Sequence, residues 1–192
     1  MNTTKLAPLI HALDQPSGVV LYPTETVYGL GSRAGDDEAS RRIARIKERP
    51  VGPLIVLLQE IPQTAGPLAR RLAARFWPGP LTLLVPKWDG LADSVCALDG
   101  TVGVRWSPHP IANALIAAVG PITSTSANLS GQSPPQDFDD VGPILKRVDA
   151  AYDAGMLDPS AASTIVHGAT GQIIREGAIP SAAIEAVLRE TL

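Results

Sequence analysis

The chain has 192 residues, 45% of them hydrophobic and 18% charged, and a net charge of −3. That is enough for one well-packed domain and too apolar for a disordered segment; the bulk charge gives no pull toward nucleic acid or an anionic membrane surface. A single cysteine, Cys96, excludes an intramolecular disulfide and a cysteine-rich zinc site.

Lys5 to Leu13 reads as a short helix with Leu6, Leu9, Ile10 and Leu13 on one face. Gly18 to Tyr22 reads as a buried strand stopped by Pro23, and Asp36 or Asp37 caps a helix running to Lys47. Leu54–Leu58, Leu81–Val85, Thr101–Arg105 and Pro121–Thr125 read as strands. Thr64–Phe76 and Pro110–Val119 read as helices, the second with proline in its first turn. A Pro/Ser/Gln/Asp-rich loop spans Gln132 to Asp139, and a helix is expected over Asp140–Val148. Ser163–His167 and Gln172–Arg175 read as two strands around a glycine turn, and a helix from Pro180 to Leu192 closes the chain. Strands and helices alternate in places and strands pair in others, so the expected class is α/β or α+β with a mixed sheet, in one domain over residues 1–192.

No window approaches the ~18–20 apolar residues of a membrane span. The stretch around Ala7–His11 is too short for a signal peptide, so a cytoplasmic location with no membrane partner is expected. His11, His109 and His167 have no metal-ligand spacing.

Four segments place polar side chains at strand ends, where α/β proteins bind ligands. Tyr22 to Gly31 brings Thr24, Glu25, Thr26 and Tyr28 directly after a buried strand. Gly29 to Gly35 imitates a dinucleotide fingerprint but has one residue too many before its third glycine, and no P-loop exists. Lys47 and Arg49 either neutralise a helix C-terminus or hold phosphate oxygens. Ser124 to Gly131 is either a polar turn or an anion-binding concavity of hydroxyls and amides. Ser163 and Arg175 lie at the ends of neighbouring strands. Phe76-Trp77-Pro78-Gly79-Pro80 reads as architectural, Glu25 as a supporting group rather than a general base, and Trp106 as either an adenine-stacking or a packing residue.

Taken together, PTETVYGLG at 23–31, KERP at 47–50, FWPGPLTLLVP at 76–86, VGVRWSPHP at 102–110, STSANLSG at 124–131, ASTIV at 162–166 and IIREGAI at 173–179 resemble the YrdC/TsaC family in order and nearly throughout the chain. The resemblance implies a twisted mixed sheet flanked by helices with an open, concave basic cleft, and, since the chain ends soon after the last motif, no extra C-terminal domain. It implies a nucleotidyltransferase: an L-threonylcarbamoyladenylate synthase acting on L-threonine, bicarbonate and ATP for the threonylcarbamoyladenosine modification of tRNA. Related readings on the same fold are an RNA-binding module and a carbamoyl-adenylate-forming enzyme.

By the same resemblance, Lys47 and Arg49 are the catalytic cations and bind ATP with Ser124, Ser126, Asn128 and Arg175. Thr24, Tyr28, Arg105 and Ser163 serve threonine and bicarbonate. Mg²⁺ travels with ATP, with no protein metal site of its own. Partners would be a downstream tRNA-modifying transferase complex and, weakly, tRNA itself. The sequence departs from the family at Leu57, where many members carry histidine, and in a shorter 50–53 loop.

Overall fold

The computed structural model describes residues 3–158 and 160–190. The chain runs α1 (Thr3–Asp14), β1 (Val20–Pro23), β2 (Tyr28–Gly31), α2 (Asp37–Ile46), β3 (Ile55–Leu57), α3 (Pro67–Phe76), β4 (Leu81–Pro86), β5 (Thr101–Arg105), α4 (Pro110–Val119), β6 (Ile122–Ser126), β7 (Ala150–Ala151), β8 (Thr164–His167), β9 (Ile173–Arg175) and α5 (Ser181–Arg189). Short 3₁₀ segments lie at Asp93–Val95 and Phe138–Arg147.

The nine strands form one sheet in the order β7-β1-β2-β6-β3-β5-β4-β8-β9. The pairs β1–β7, β3–β5 and β4–β8 are parallel and the other five are antiparallel. The mixed sheet read from the sequence is therefore present. Alternation along each strand sends side chains to two different cores. One face carries Leu21, Leu30, Val56, Leu83, Val104 and Val166, packed with residues of α2, α3 and α5. The other carries Val20, Tyr22, Leu57 and Ile122 beneath α1 and α4.

The helices begin and end where local chemistry satisfies their free backbone groups. Asp36 caps α2 by accepting from Ala39 N at 2.8 Å, and its other oxygen accepts from Ser17 N at 2.9 Å. His109 caps α4 through Nδ1, which accepts from Ile111 N at 3.2 Å, and Gly120 ends that helix at φ 82°. At the end of α2, Glu48 N bonds Arg45 O and Arg49 N bonds Ala44 O, each at 3.1 Å, with Glu48 left-handed at φ 53°. This one left-handed residue turns the chain between Lys47 and Arg49.

The structure adds to the expected elements and changes one of them. Tyr28–Gly31, given no element from the sequence, forms β2, pairing with both β1 and β6. The helix expected over 140–148 is a 3₁₀ segment broken at Gly142 (φ 61°), because Pro143 and a left-handed glycine cannot continue an α-helix. β7 is two residues long and was not anticipated. The expected end of the last helix, 191–192, lies outside the described residues.

The glycines that imitate a nucleotide fingerprint have a packing role instead. Tyr22 lies across β2, and a Cβ on Gly31 would sit 2.7 Å from its ring and 2.4 Å from Thr123 O. The Tyr22 hydroxyl donates to Thr123 O at 3.0 Å, which fixes the ring there. Gly31→Ala should therefore destabilise the fold by about 1–3 kcal/mol, as overpacking does, and lower Tm by several degrees in a thermal melt.

Candidate active site

A cleft of about 520 Å³ opens on the sheet face that carries Tyr22 and Ile122. Alternation from Ile122 brings Ser124 and Ser126 to this face, and the β3–β6 register sets Ile55 opposite Ser124. The β1–β2 turn supplies Thr24, β5 ends on Arg105, Ser163 immediately precedes β8, and Arg175 ends β9. Pro134, Gln136 and Ser160 also line the cleft, and Gln136 Nε2 donates to Ser160 O at 3.4 Å.

Six expected site residues thus meet in one hollow: Thr24, Arg105, Ser124, Ser126, Ser163 and Arg175. Thr24 is 4% exposed, and its hydroxyl organises the turn. It accepts from the amides of Thr26 and Val27, each at 3.2 Å, and donates to Val27 O at 2.7 Å. The Ser163 hydroxyl lies 2.9 Å from Thr82 Oγ1, and its carbonyl accepts from Arg175 Nη2 at 2.9 Å.

Lys47, Arg49 and Asn128 do not line the cleft but stand behind its β6 edge. Lys47 is 4% exposed; its ammonium donates to the carbonyl of Asn128 at 2.8 Å and to that of Ser126. Ser130 N returns a bond to Lys47 O at 3.0 Å. Burial first, and the neighbouring Arg49 second, push the Lys47 pKa down to about 8. Arg49 is lowered by burial as well. Two buried polar atoms here, Arg49 Nε and Asn128 Oδ1, have no hydrogen-bond partner among the described residues. Such atoms are uncommon in a folded protein.

Arg105 is 5% exposed; Nε donates to Gly79 O at 3.3 Å and Nη2 pairs with Glu25 Oε1. Burial pushes its pKa down to about 10; the nearby Arg175 adds to the fall and Tyr22 opposes it. Tyr28 goes elsewhere. It follows the opposite face into the larger core, where its hydroxyl donates to Gly155 O at 2.7 Å and its ring packs edge-on against Phe138. Leu57 is 1% exposed in the core under α4, and Trp106 bonds Asn113 Oδ1 at 3.1 Å, so neither lines the cleft.

Sequence reasoning gave no part to Ser107, Gly79 or Gln136. Ser107 reaches Glu25 across 82 positions of sequence, Gly79 acts through its carbonyl, and Gln136 through a loop-to-loop bond; none of these leaves a local pattern.

Comparison with known proteins gives a consistent result. The Sua5/YciO/YrdC family model, described as telomere recombination, matches residues 14–177. A threonylcarbamoyl-AMP synthase of Bacillus subtilis is 41% identical over 189 residues, covering 92% of this chain and 55% of that protein. The crystal structure of P. abyssi Sua5 complexed with L-threonine superposes with a TM-score of 0.81 at 33% identity, over 95% of this chain and 56% of that one. E. coli YciO superposes at 0.74 with 26% identity, over 90% of both chains. The chain spans a little over half the length of the first two. With the family model covering most of its residues and the same sheet beneath them, the chain belongs to the Sua5/YciO/YrdC family.

Proposed function

We propose that this protein is an L-threonylcarbamoyladenylate synthase. The observation that carries the reading is the convergence of the Lys47 ammonium on the Ser126–Asn128 turn, next to a cleft lined by the cations Arg105 and Arg175. The name of the Bacillus subtilis relative and the threonine bound by P. abyssi Sua5 support the substrate class.

In this reading threonine's amine takes up bicarbonate with loss of water, giving an N-carboxylate. A carboxylate oxygen attacks the α-phosphorus of ATP, and the bond to the bridging oxygen of pyrophosphate breaks. The substrates supply nucleophile and leaving group, so the protein contributes position and positive charge. Lys47 and Arg49 stabilise the charge that gathers on pyrophosphate, and Ser124, Ser126 and Asn128 hold the nucleotide with Arg175. Thr24, Arg105 and Ser163 shape the side that takes threonine and bicarbonate. Tyr28 contributes from the opposite face, by holding β2 against the 154–155 segment rather than by touching substrate.

The donor set suits phosphate oxygens rather than a bare cation. It is made of arginines, a lysine and hydroxyls, and Glu25 is engaged by Arg105 and Ser107. Mg²⁺ accordingly belongs with ATP, screening its phosphates. The domain over 1–192 would act in the cytoplasm and pass its labile product to a tRNA-modifying transferase; no helix among the described residues is long and apolar enough to cross a membrane.

Three outcomes test this. With ATP, threonine and labelled bicarbonate, pyrophosphate release should depend on threonine and yield labelled threonylcarbamoyl-AMP; release indifferent to threonine overturns the assignment. Arg49→Ala should lower kcat by roughly 10²–10³, as loss of a donor to developing negative charge does, with an unchanged melting temperature. Lys47→Ala should lose activity and also stability, because two loop carbonyls lose their donor; wild-type rates in both variants would remove the phosphate role.

The pH dependence follows from the depressed pKa of Lys47. The ammonium is charged below about pH 8 and neutral above it, so kcat/KM for ATP should fall above that pH, by up to about tenfold per unit. Bound phosphate favours the charged form, so kcat should decline at a higher pH than kcat/KM. Lys47→Arg keeps the charge and should remove the decline; an identical profile in that variant assigns it to another group.

A further inference from the structure

Among the described residues Glu25 is the one carboxylate in direct contact with a cation of the cleft, and the reaction described above makes no use of it. Its side chain is 19% exposed and that of Arg105 is 7% exposed. Oε1 pairs with Arg105 Nη2, and Oε2 accepts from Ser107 Oγ at 2.5 Å. Ser107 is held in turn, since its hydroxyl oxygen accepts from His109 N at 3.1 Å at the start of α4. A chain of contacts therefore runs from the first turn of α4 through Ser107 and Glu25 to the guanidinium of Arg105.

The two members of the ion pair face different spaces. Arg105 lines the 520 Å³ cleft and Glu25 does not. Glu25 lines a separate cavity of about 370 Å³, walled by Pro108, His109 and Met156, which meets the cleft only at Thr24. A general base must reach the proton that it takes. Glu25 stands behind the wall, on the far side of the guanidinium.

Arg105 meets a partner at two of its three nitrogens: Nε donates to Gly79 O, and Nη2 forms an ion pair with Glu25 Oε1 rather than a directed hydrogen bond. No partner among the described residues holds Nη1. A guanidinium is a planar fork, so pinning two corners determines where the third points. Removing one partner of a buried ion pair leaves the other charge uncompensated and free to turn away.

We propose that Glu25 is a positioning residue for Arg105. From behind the cleft wall it fixes the guanidinium so that Nη1 is presented to the anionic group of the substrate, and Ser107 latches Glu25 in place. This rests on the substrate-binding role proposed for Arg105, and the test separates the two.

The first arm needs no turnover. In an ¹⁵N spectrum of wild-type protein, the Arg105 side chain, assigned by its loss in Arg105→Lys, should give resolved Nη protons because rotation about the Cζ–N bonds is slow. In Glu25→Ala they should merge or broaden; unchanged resonances overturn the proposal.

The second arm is kinetic. Glu25→Gln keeps an acceptor for Arg105 and a donor for Ser107, so it should melt within a few degrees of wild type. It should also keep most of kcat/KM for threonine, whereas Glu25→Ala should lose roughly 10–100-fold and Ser107→Ala a smaller, roughly 3–10-fold share. Both losses should vanish in an Arg105→Ala background, where there is no guanidinium to position. Losses that multiply instead would make Glu25 an independent group and end the proposal. A wild-type protein without threonine-dependent turnover refutes the synthase reading, and the spectroscopic arm then decides the positioning role alone.

Discussion

One buried ammonium ties the helical layer to the site. Lys47 has almost no contact with solvent, and its Nζ is held by carbonyls at the end of β6. Carbonyl oxygens carry partial charge only, so they orient the ammonium without neutralising it. Its pKa is depressed by burial first and by the neighbouring Arg49 second. The same contact explains why α2 ends as it does. Glu48 accepts a left-handed conformation, and through it Lys47 turns to the β6 turn while Arg49 follows into the same region. Helix end and strand end are thus built around a cation that an anionic ligand would complete.

The distribution of charge fits this economy. The chain is acidic overall, yet the arginines of α2 all have carboxylate partners: Arg41 with Asp37, Arg42 with Asp149 and Arg45 with Glu38. Those pairs lie on exposed surface and contribute little individually. Around the cleft the pattern changes. Arg175 is held by a carbonyl, Lys47 by two, and Arg49 has no ion pair among the described residues. Arg105 alone receives a carboxylate, and that carboxylate lies outside the cleft. Cations left without counter-charge beside a concave surface raise the local potential where net charge gives no hint of it.

How much of this was legible depended on whether a feature was local. Strand and helix cores were readable because apolar runs and periodicity are local; Leu54–Leu58 contains β3, and 163–175 folds back as β8 and β9. β2 was missed because Tyr28-Gly29-Leu30-Gly31 carries glycines that ordinarily mark a turn, while here they make room for a ring from β1. The grouping of Thr24, Ser124, Ser126, Arg105, Ser163 and Arg175 came through motif order. Their physical meeting comes from the sheet order, in which β6 lies between β2 and β3. Tyr28 shows the limit of reading neighbours in sequence. It is four residues from Thr24 yet projects to the opposite core, because β2 sends alternate residues to opposite faces.

The apolar part of the cleft has a consequence of its own. Pro53, Leu54 and Ile55 give the cleft an apolar part, Ile55 beside Ser124 of the neighbouring strand, and Leu57 is withdrawn beneath α4. β3 thus offers the cleft no side-chain donor or acceptor among these residues, and the polar side chains that line it come from the β1–β2 turn, β6, β5 and the segments at β8 and β9. In a cleft with one apolar wall, each charged contact acts in a lower effective dielectric than in water and is worth more. The same condition raises the cost of a misdirected charge. A guanidinium beside that wall is useful only if something outside it fixes its orientation, and in this fold the element available to do so is the Glu25–Ser107 chain leading back to α4.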